Sequence, residues 1–196
     1  MVRGRPRSAE ADIAIFETVI VLIRKVGYDG VTMEAIASQA GVSKATVYRR
    51  WKAKEFLVAD ALERIVSRIR IPDTGATSRD LHLAMRDTLK LYADPATRAL
   101  LSGLIAAMAR SERIARALQT GLIAARRESI RVVLARGVQR GDLRAGADLG
   151  LAIDVLSGPL LYRALMTGGP VDARMARDLV AVVLRAFAPH PRKSKR

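Results

Sequence analysis

The chain has 196 residues, half of them hydrophobic and only 4% aromatic, and 34 Lys and Arg against 19 Asp and Glu give a net charge of +15. Such a chain suits one large domain or two small ones with an aliphatic, helix-favouring core, and its charge suits an anionic partner. The lack of cysteine excludes disulfides, thiol catalysis and cysteine metal sites, and fits a reducing compartment. The basic excess is spread along the chain, so charge alone does not locate a binding face. No signal peptide is expected, because the first apolar stretch follows Glu10 and Asp12 and is interrupted by Glu17. The most apolar run, Leu149 to Met166, contains Asp154 and Arg163, so a soluble cytoplasmic protein without a membrane partner is expected.

Residues 2–7 form an arginine-rich arm in which Arg3, Arg5 and Arg7 alternate. It reads either as an arm that follows the minor groove of DNA or as a solubilising terminus. Helix 1 is expected from Ser8 to Gly27, with Ile13, Phe16, Ile20 and Ile23 inward and Val19 and Val26 beside them. Next comes a helix from Met33 to Ala40, with Met33, Ile36, Ala37 and Ala40 on one face, Thr32 as cap and Glu34 in its first turn. Gly41 ends it, Val42 points back into the core, and Ser43 caps a second helix from about Lys44 to Trp51. Two short helices joined so tightly read as a helix-turn-helix.

On the second helix Val47 and Trp51 face inward, with Phe16 and Trp51 as aromatic core. The opposite side carries Ala45, Thr46 and Arg49, flanked by Lys44, Tyr48 and Arg50. Arg49 has the fork geometry to read a guanine edge, and Ala45 or Thr46 the size to touch a thymine methyl. Lys44, Tyr48 and Lys54 suit phosphates, which set register without reading sequence. The cap residues Thr32 and Ser43 complete the expected DNA-binding set. The plainer reading is a solvated helix face; both caps, the glycine turn and the basic rim together favour DNA.

This stretch resembles the tetracycline-repressor (TetR/AcrR) family of bacterial transcription regulators. The matching residues are Gly27-Tyr28-Asp29-Gly30, Thr32-Met33, Ile36-Ala37, Ala40-Gly41-Val42-Ser43, Thr46-Val47-Tyr48 and Lys54-Glu55, with Arg49-Arg50-Trp51 as in one branch of the family. Lys54 is similar to a family residue that holds a phosphate. Ala53 departs from the usual serine or asparagine cap, which weakens the start of the next helix by about 1 kcal/mol.

That helix is expected to run to about Arg70 with Val58, Leu62, Ile65 and Ile69 inward, ending before Pro72; the turn-rich Ile71 to Ser78 marks a domain boundary. Leu81, Met85, Leu89 and Tyr92 make the next stripe, and Asp94-Pro95 stops one helix and starts another. Leu101, Leu104, Ile105 and Met108 follow, Ser111-Glu112 restarts the chain, and Ile130, Val133 and Leu134 belong to a helix ending near Gly137 or Gly141. Asp148 leads into an apolar helix that Gly158-Pro159 is expected to kink or break. Gly168-Gly169-Pro170 is a turn, and Asp172 caps the last helix. No strand pattern or internal repeat is visible.

The expected fold is all-α: an arm and three-helix helix-turn-helix head (1–54), a connecting helix (55–72), a helical ligand-binding and dimerisation domain (73–189) and a basic tail (190–196). The resemblance implies a homodimer built on the last two helices, whose apolar character also fits a filled monomer core. It implies too a small-molecule effector among the helices of the second half. Met85, Leu89, Tyr92, Leu104, Met108 and Tyr162 are candidates for its pocket, though residues so spaced also serve as plain core. His82 and His190 are too isolated for a metal site, and no cofactor motif or catalytic set is present. The expected function is a repressor that binds an inverted repeat of double-stranded DNA as a dimer and leaves it on binding an apolar effector. The alternative is a basic architectural protein without sequence preference; an enzyme is not expected.

Overall fold

The computed structural model describes residues 6–189, the first four by backbone alone. Arg3, Arg5, His190 and the basic tail lie outside the described residues, as does the side chain of Arg7. All regular structure among the described residues is helical. Helix α1 spans Pro6–Gly30 and is interrupted at Gly27, whose φ of 73° leaves the helical region. Its backbone thus begins at Pro6, and Arg7 falls in the first turn of the helix, not in an arm. Then follow α2 (Met33–Gln39), α3 (Lys44–Arg50), α4 (Lys54–Ser67), α5 (Thr77–Ala93), α6 (Pro95–Arg110) and α7 (Glu112–Leu118). A wide π-type turn, Gln119–Ile123, leads into α8 (Ala124–Arg140). The chain closes with α9 (Leu149–Tyr162), a second wide turn at Arg163–Thr167 and α10 (Ala173–Ala186).

The described chain packs as two compact units. One holds the residues up to Ile69 together with Ala99–Arg126; the other holds Arg70–Arg98 and the stretch from Arg127 onward. The boundary drawn near residue 73 follows the chain, whereas packing places Ala99–Arg126 with the head.

In the first unit the core is aliphatic, built from Ile15, Val19, Leu22 and Ile23 of α1, Ile36 of α2, Val47 of α3, and Leu57, Val58 and Ala61 of α4. Leu100, Leu104 and Leu118 from α6 and α7 join it. On α1 the buried face is turned from the expected stripe: Ile13, Phe16 and Ile20 are half-buried and Val26 is 48% exposed. On α4 Ile65 is exposed, while Leu57, Ala61 and Val66 are inside. Both helices carry apolar residues on more than one face, and the face that meets a neighbour is the one that dries. The same shift occurs on α6, where Leu100, Leu104 and Ala107 are buried and Ile105 is exposed.

Tyr28 is the joint of this unit. Its ring is 5% exposed and packs on α6 at Gly103, where a Cβ would come within 2.3 Å of Cδ1. The Lys54 ammonium lies 4.5 Å from the ring centroid on α4, and the phenol donates to Glu55 at 3.5 Å. Burial, with the Glu55 carboxylate beside it, pushes the phenol up to about 12, so the ring stays neutral beneath the lysine.

In the second unit α10 packs on α5 and α9 around Leu81, Met85, Val133, Leu156, Leu160, Val180 and Val183. The segment after α4 is tied down by a polar network. Arg136 donates to the Pro72 carbonyl at 3.1 Å, and the fully buried Asp80 accepts from the Thr74 N–H at 2.8 Å and from Arg140 at 3.4 Å. Asp142 accepts from the Thr77 N–H and hydroxyl at 3.2 and 2.7 Å, replacing the side-chain cap that α5 lacks. Those Thr77 bonds, with Arg140 nearby, hold the Asp142 carboxyl below the usual carboxylate range. Asp94 and Asp172 cap α6 and α10 as expected. Pro159 does not break α9: the helix runs through it to Tyr162, and the helical run ends only at Gly168, where φ is 67°. One missing N–H is tolerated inside an otherwise intact helix.

Gly103→Ala tests the joint. Alanine favours a helix by about 1 kcal/mol, but the added methyl overlaps a ring held by Lys54 and Glu55, and overpacking costs about 1–3 kcal/mol. A net loss of stability is expected in urea denaturation, smaller in a Tyr28→Leu background. An unchanged or higher midpoint would remove Tyr28 from this role.

Candidate DNA-binding face

The helix-turn-helix is built from local chemistry. Thr32 accepts the Ala35 N–H at 3.1 Å and Ser43 the Thr46 N–H at 3.2 Å, so each helix of the motif starts on a hydroxyl cap. Between them the backbone of Val42 donates to Ala37 at 3.0 Å and that of Gly41 to Ser38 at 3.3 Å, with φ of 66° at Gly41. This is a Schellman ending, which only a residue free to adopt positive φ closes without strain. Val42 then packs against the core. By contrast Ala53 starts α4 without a side-chain cap, as its residue type dictates.

Helix α3 buries Val47 completely, and Trp51 packs edge-on against Phe16 with centroids 5.7 Å apart. Ser43, Lys44, Ala45, Tyr48 and Arg49 are exposed, and Thr46 is half-buried with its hydroxyl 2.9 Å from that of Ser43. Arg49 makes no hydrogen bond or ion pair among the described residues, so its guanidinium is available to a ligand. Ala45 is exposed near it, small enough to let a groove approach closely.

The other candidates are engaged within the head. Arg50 turns inward to Asp12 on α1 and is half-buried there. Lys54 donates to the carbonyls of Tyr28, Asp29 and Val31 at 3.0, 3.3 and 3.3 Å. An ammonium has three donors, so a phosphate would have to displace these bonds. Lys54 thus clamps the end of α1 to the start of α4. The Tyr48 phenol donates to Glu34 of α2 at 2.8 Å, and that bond holds the Glu34 carboxyl below its ordinary value while raising the phenol. The Trp51 indole N–H donates to Asp60 of α4 at 2.7 Å. Three carboxylates from three helices therefore grip residues 48, 50 and 51. Sequence reasoning missed all three, because partners 9 to 38 residues apart leave no periodic signal.

The pocket candidates are divided between the two units. Met85, Leu89 and Tyr92 belong to the core of the second unit, Leu104 and Met108 to that of the first, and Tyr162 is 60% exposed on α9.

Residues 15–61 match the model of bacterial regulatory proteins of the tetR family, and residues 71–183 that of the tetracyclin repressor-like C-terminal domain. The chain is 34% identical over 179 residues to the HTH-type transcriptional regulator YdeS of Bacillus subtilis, covering 91% of this chain and 90% of that one. It is 31% identical over 192 residues to the DNA-binding transcriptional repressor TetR of Mycobacteroides abscessus, covering 95% and 98%. The crystal structure of the TetR family regulator SCO0332 superposes with a TM-score of 0.79 at 29% identity, over 92% of this chain and all of that one. These relatives are transcriptional regulators and not enzymes. The chain belongs to the TetR family of DNA-binding transcriptional regulators.

Proposed function

We propose that this regulator is a cytoplasmic repressor that reads an inverted-repeat operator as a homodimer and is released by a small apolar effector. The observation that carries the sequence-reading part is Arg49, exposed and unengaged on α3 while its neighbours are fixed by Asp12, Glu34 and Asp60. A guanidinium on a held helix can make the bidentate guanine contact. The head, residues 1–54, would carry DNA binding, 55–72 the connection, and 73–189 dimerisation and effector binding.

Dimerisation is supported by the outer surface of α9 and α10. Leu151, Tyr162 and Val182 are exposed there, as is Met166 in the wide turn after α9, and an open groove runs past Pro159, Leu179 and Val182. The apolar stretch Leu149–Thr167 is long enough to cross a membrane by composition alone. Its Asp154 pairs with Arg127, however, and Arg163 donates to the Pro170 carbonyl. A second copy of the chain is the partner that would cover this face, and two recognition helices double the site read. For the effector, Met85, Leu89 and Tyr92 of α5 offer an adaptable apolar lining with one phenol. Release requires the effector to bind the DNA-incompetent state more tightly.

Selection of bound duplexes from a randomised pool at near-physiological salt should enrich an inverted repeat. Arg49→Ala should then lose about 1–3 kcal/mol at one base pair per half-site and little elsewhere. Salt-sensitive binding with no enriched sequence, weakened uniformly by the variant, would support a basic architectural protein instead.

Val182→Glu should give a monomer in sedimentation equilibrium and weaken operator binding while the head stays folded. A variant that remains a dimer would move the interface elsewhere.

A further inference from the structure

A cleft of about 470 Å³ opens in the first unit between the start of α4 and α7, reaching Thr120 in the wide turn that follows. None of its lining residues belongs to α3 or to the core of the second unit. Its size falls within the range of small-molecule sites. Phe56 and Ala117 supply apolar surface, and Glu112, Arg113, Arg116 and Thr120 supply the polar rim.

Helix α4 is anchored in the core by Leu57, Val58 and Ala61, whereas Phe56 is only half-buried at the edge. The Arg113 guanidinium lies over its ring, 5.2 Å from the centroid. Arg113 makes no hydrogen bond or ion pair among the described residues, so the stack orients a cation whose N–H donors are all left for a ligand. Three residues on, Arg116 presents a second guanidinium. It pairs with Glu112 at 2.6 Å, but the two side chains are 73% and 84% exposed, and so exposed a pair is readily exchanged for another partner. The Thr120 hydroxyl already donates to the Arg116 carbonyl at 2.9 Å, which leaves the two arginines as the donors of the rim.

We propose that this cleft is a binding site for a small organic anion with a flat apolar body, held at its charged end by Arg113 and Arg116 and along its body by Phe56 and Ala117. An inorganic anion would leave the apolar floor wet, and a neutral ligand would leave the guanidinium groups without an acceptor. Glu112 opposes such a ligand twice, by repelling its charge and by competing for Arg116. The site is separate from the effector lining offered by α5, and the inference does not depend on that reading.

The test titrates the full chain with 2-naphthoate and follows the amide proton and nitrogen shifts. Neutral 2-naphthalenemethanol and inorganic phosphate are the comparison probes. Naphthoate should give saturable shifts centred on Phe56 and residues 113–120, with an affinity about tenfold or more above either comparison probe. Arg113→Gln should weaken naphthoate by about tenfold, and Glu112→Gln should tighten it by roughly two- to fivefold. Neither variant should move the thermal midpoint, since both side chains are exposed. Opposite effects of the two variants would separate binding from a role of Arg113 confined to covering Phe56. Equal affinity for phosphate would reduce the cleft to a basic patch, and equal affinity for the alcohol to an apolar one; either overturns the proposal. Shifts outside the cleft, failure to saturate, or indifference to Arg113→Gln would overturn it too. Should Arg113→Gln lower the midpoint, Glu112→Gln decides alone, and no tightening there overturns the proposal.

Discussion

A helix of seven residues cannot hold itself together in water. Nucleation costs more than two turns of hydrogen bonds return, and isolated helices below about 12 residues are marginal. Helix α3 has seven. Its shape and direction must come from its surroundings, and the first unit is arranged to supply them. Val47 and Trp51 anchor the inner side, the Schellman turn at Gly41 sets the approach, and Asp12, Glu34 and Asp60 hold the end of the helix from α1, α2 and α4. What remains outside is a short row of side chains on a helix whose direction is set before any ligand arrives. Such preorganisation lowers the ordering cost of association.

The same logic extends beyond the motif. Tyr28 touches α6 through Gly103 and α4 through Lys54 and Glu55, so three helices meet at one ring. Lys54 neutralises the carbonyl ends at the close of α1, a place where a cation is favourable. In the second unit Asp80, Arg140, Asp142 and Thr77 do comparable work for the segment that leaves α4. Thr77 and Asp80 are buried there and each has its partners, which is the condition under which buried polar groups specify a single arrangement. Family membership supplies the DNA-binding role, and these contacts give it a mechanical basis.

What was legible in the sequence was local. Caps at Thr32, Ser43, Asp94 and Asp172, the glycine ending at Gly41 and the all-helical character all depend on residues within a few positions of one another. Faces were harder to choose. In α1 the run Val19 to Ile23 is apolar around most of the helix, so periodicity admits several inward stripes, and only packing selects Ile15, Val19, Leu22 and Ile23. The same ambiguity misplaced Ile65 and Ile105. The local penalty of Pro159 predicts a kink or a break, yet α9 continues through it. For the candidate site, residue types pointed to α3, but whether a cation faces outward or inward depends on distant acids. Arg49 and Arg50 are adjacent and chemically identical, yet Arg50 pairs with Asp12 on α1 while the Arg49 side chain stays exposed.

Helix α3 is held in its orientation by the protein and not by DNA. Amide hydrogen exchange of the free protein, resolved at Val47 to Trp51, addresses it most directly. Each of these N–H groups should exchange only through opening of the whole head, with protection close to that of the buried amides of α1 and α4. Rapid exchange in α3 alongside protected α1 and α4 would contradict the account, because the helix would then form only on binding.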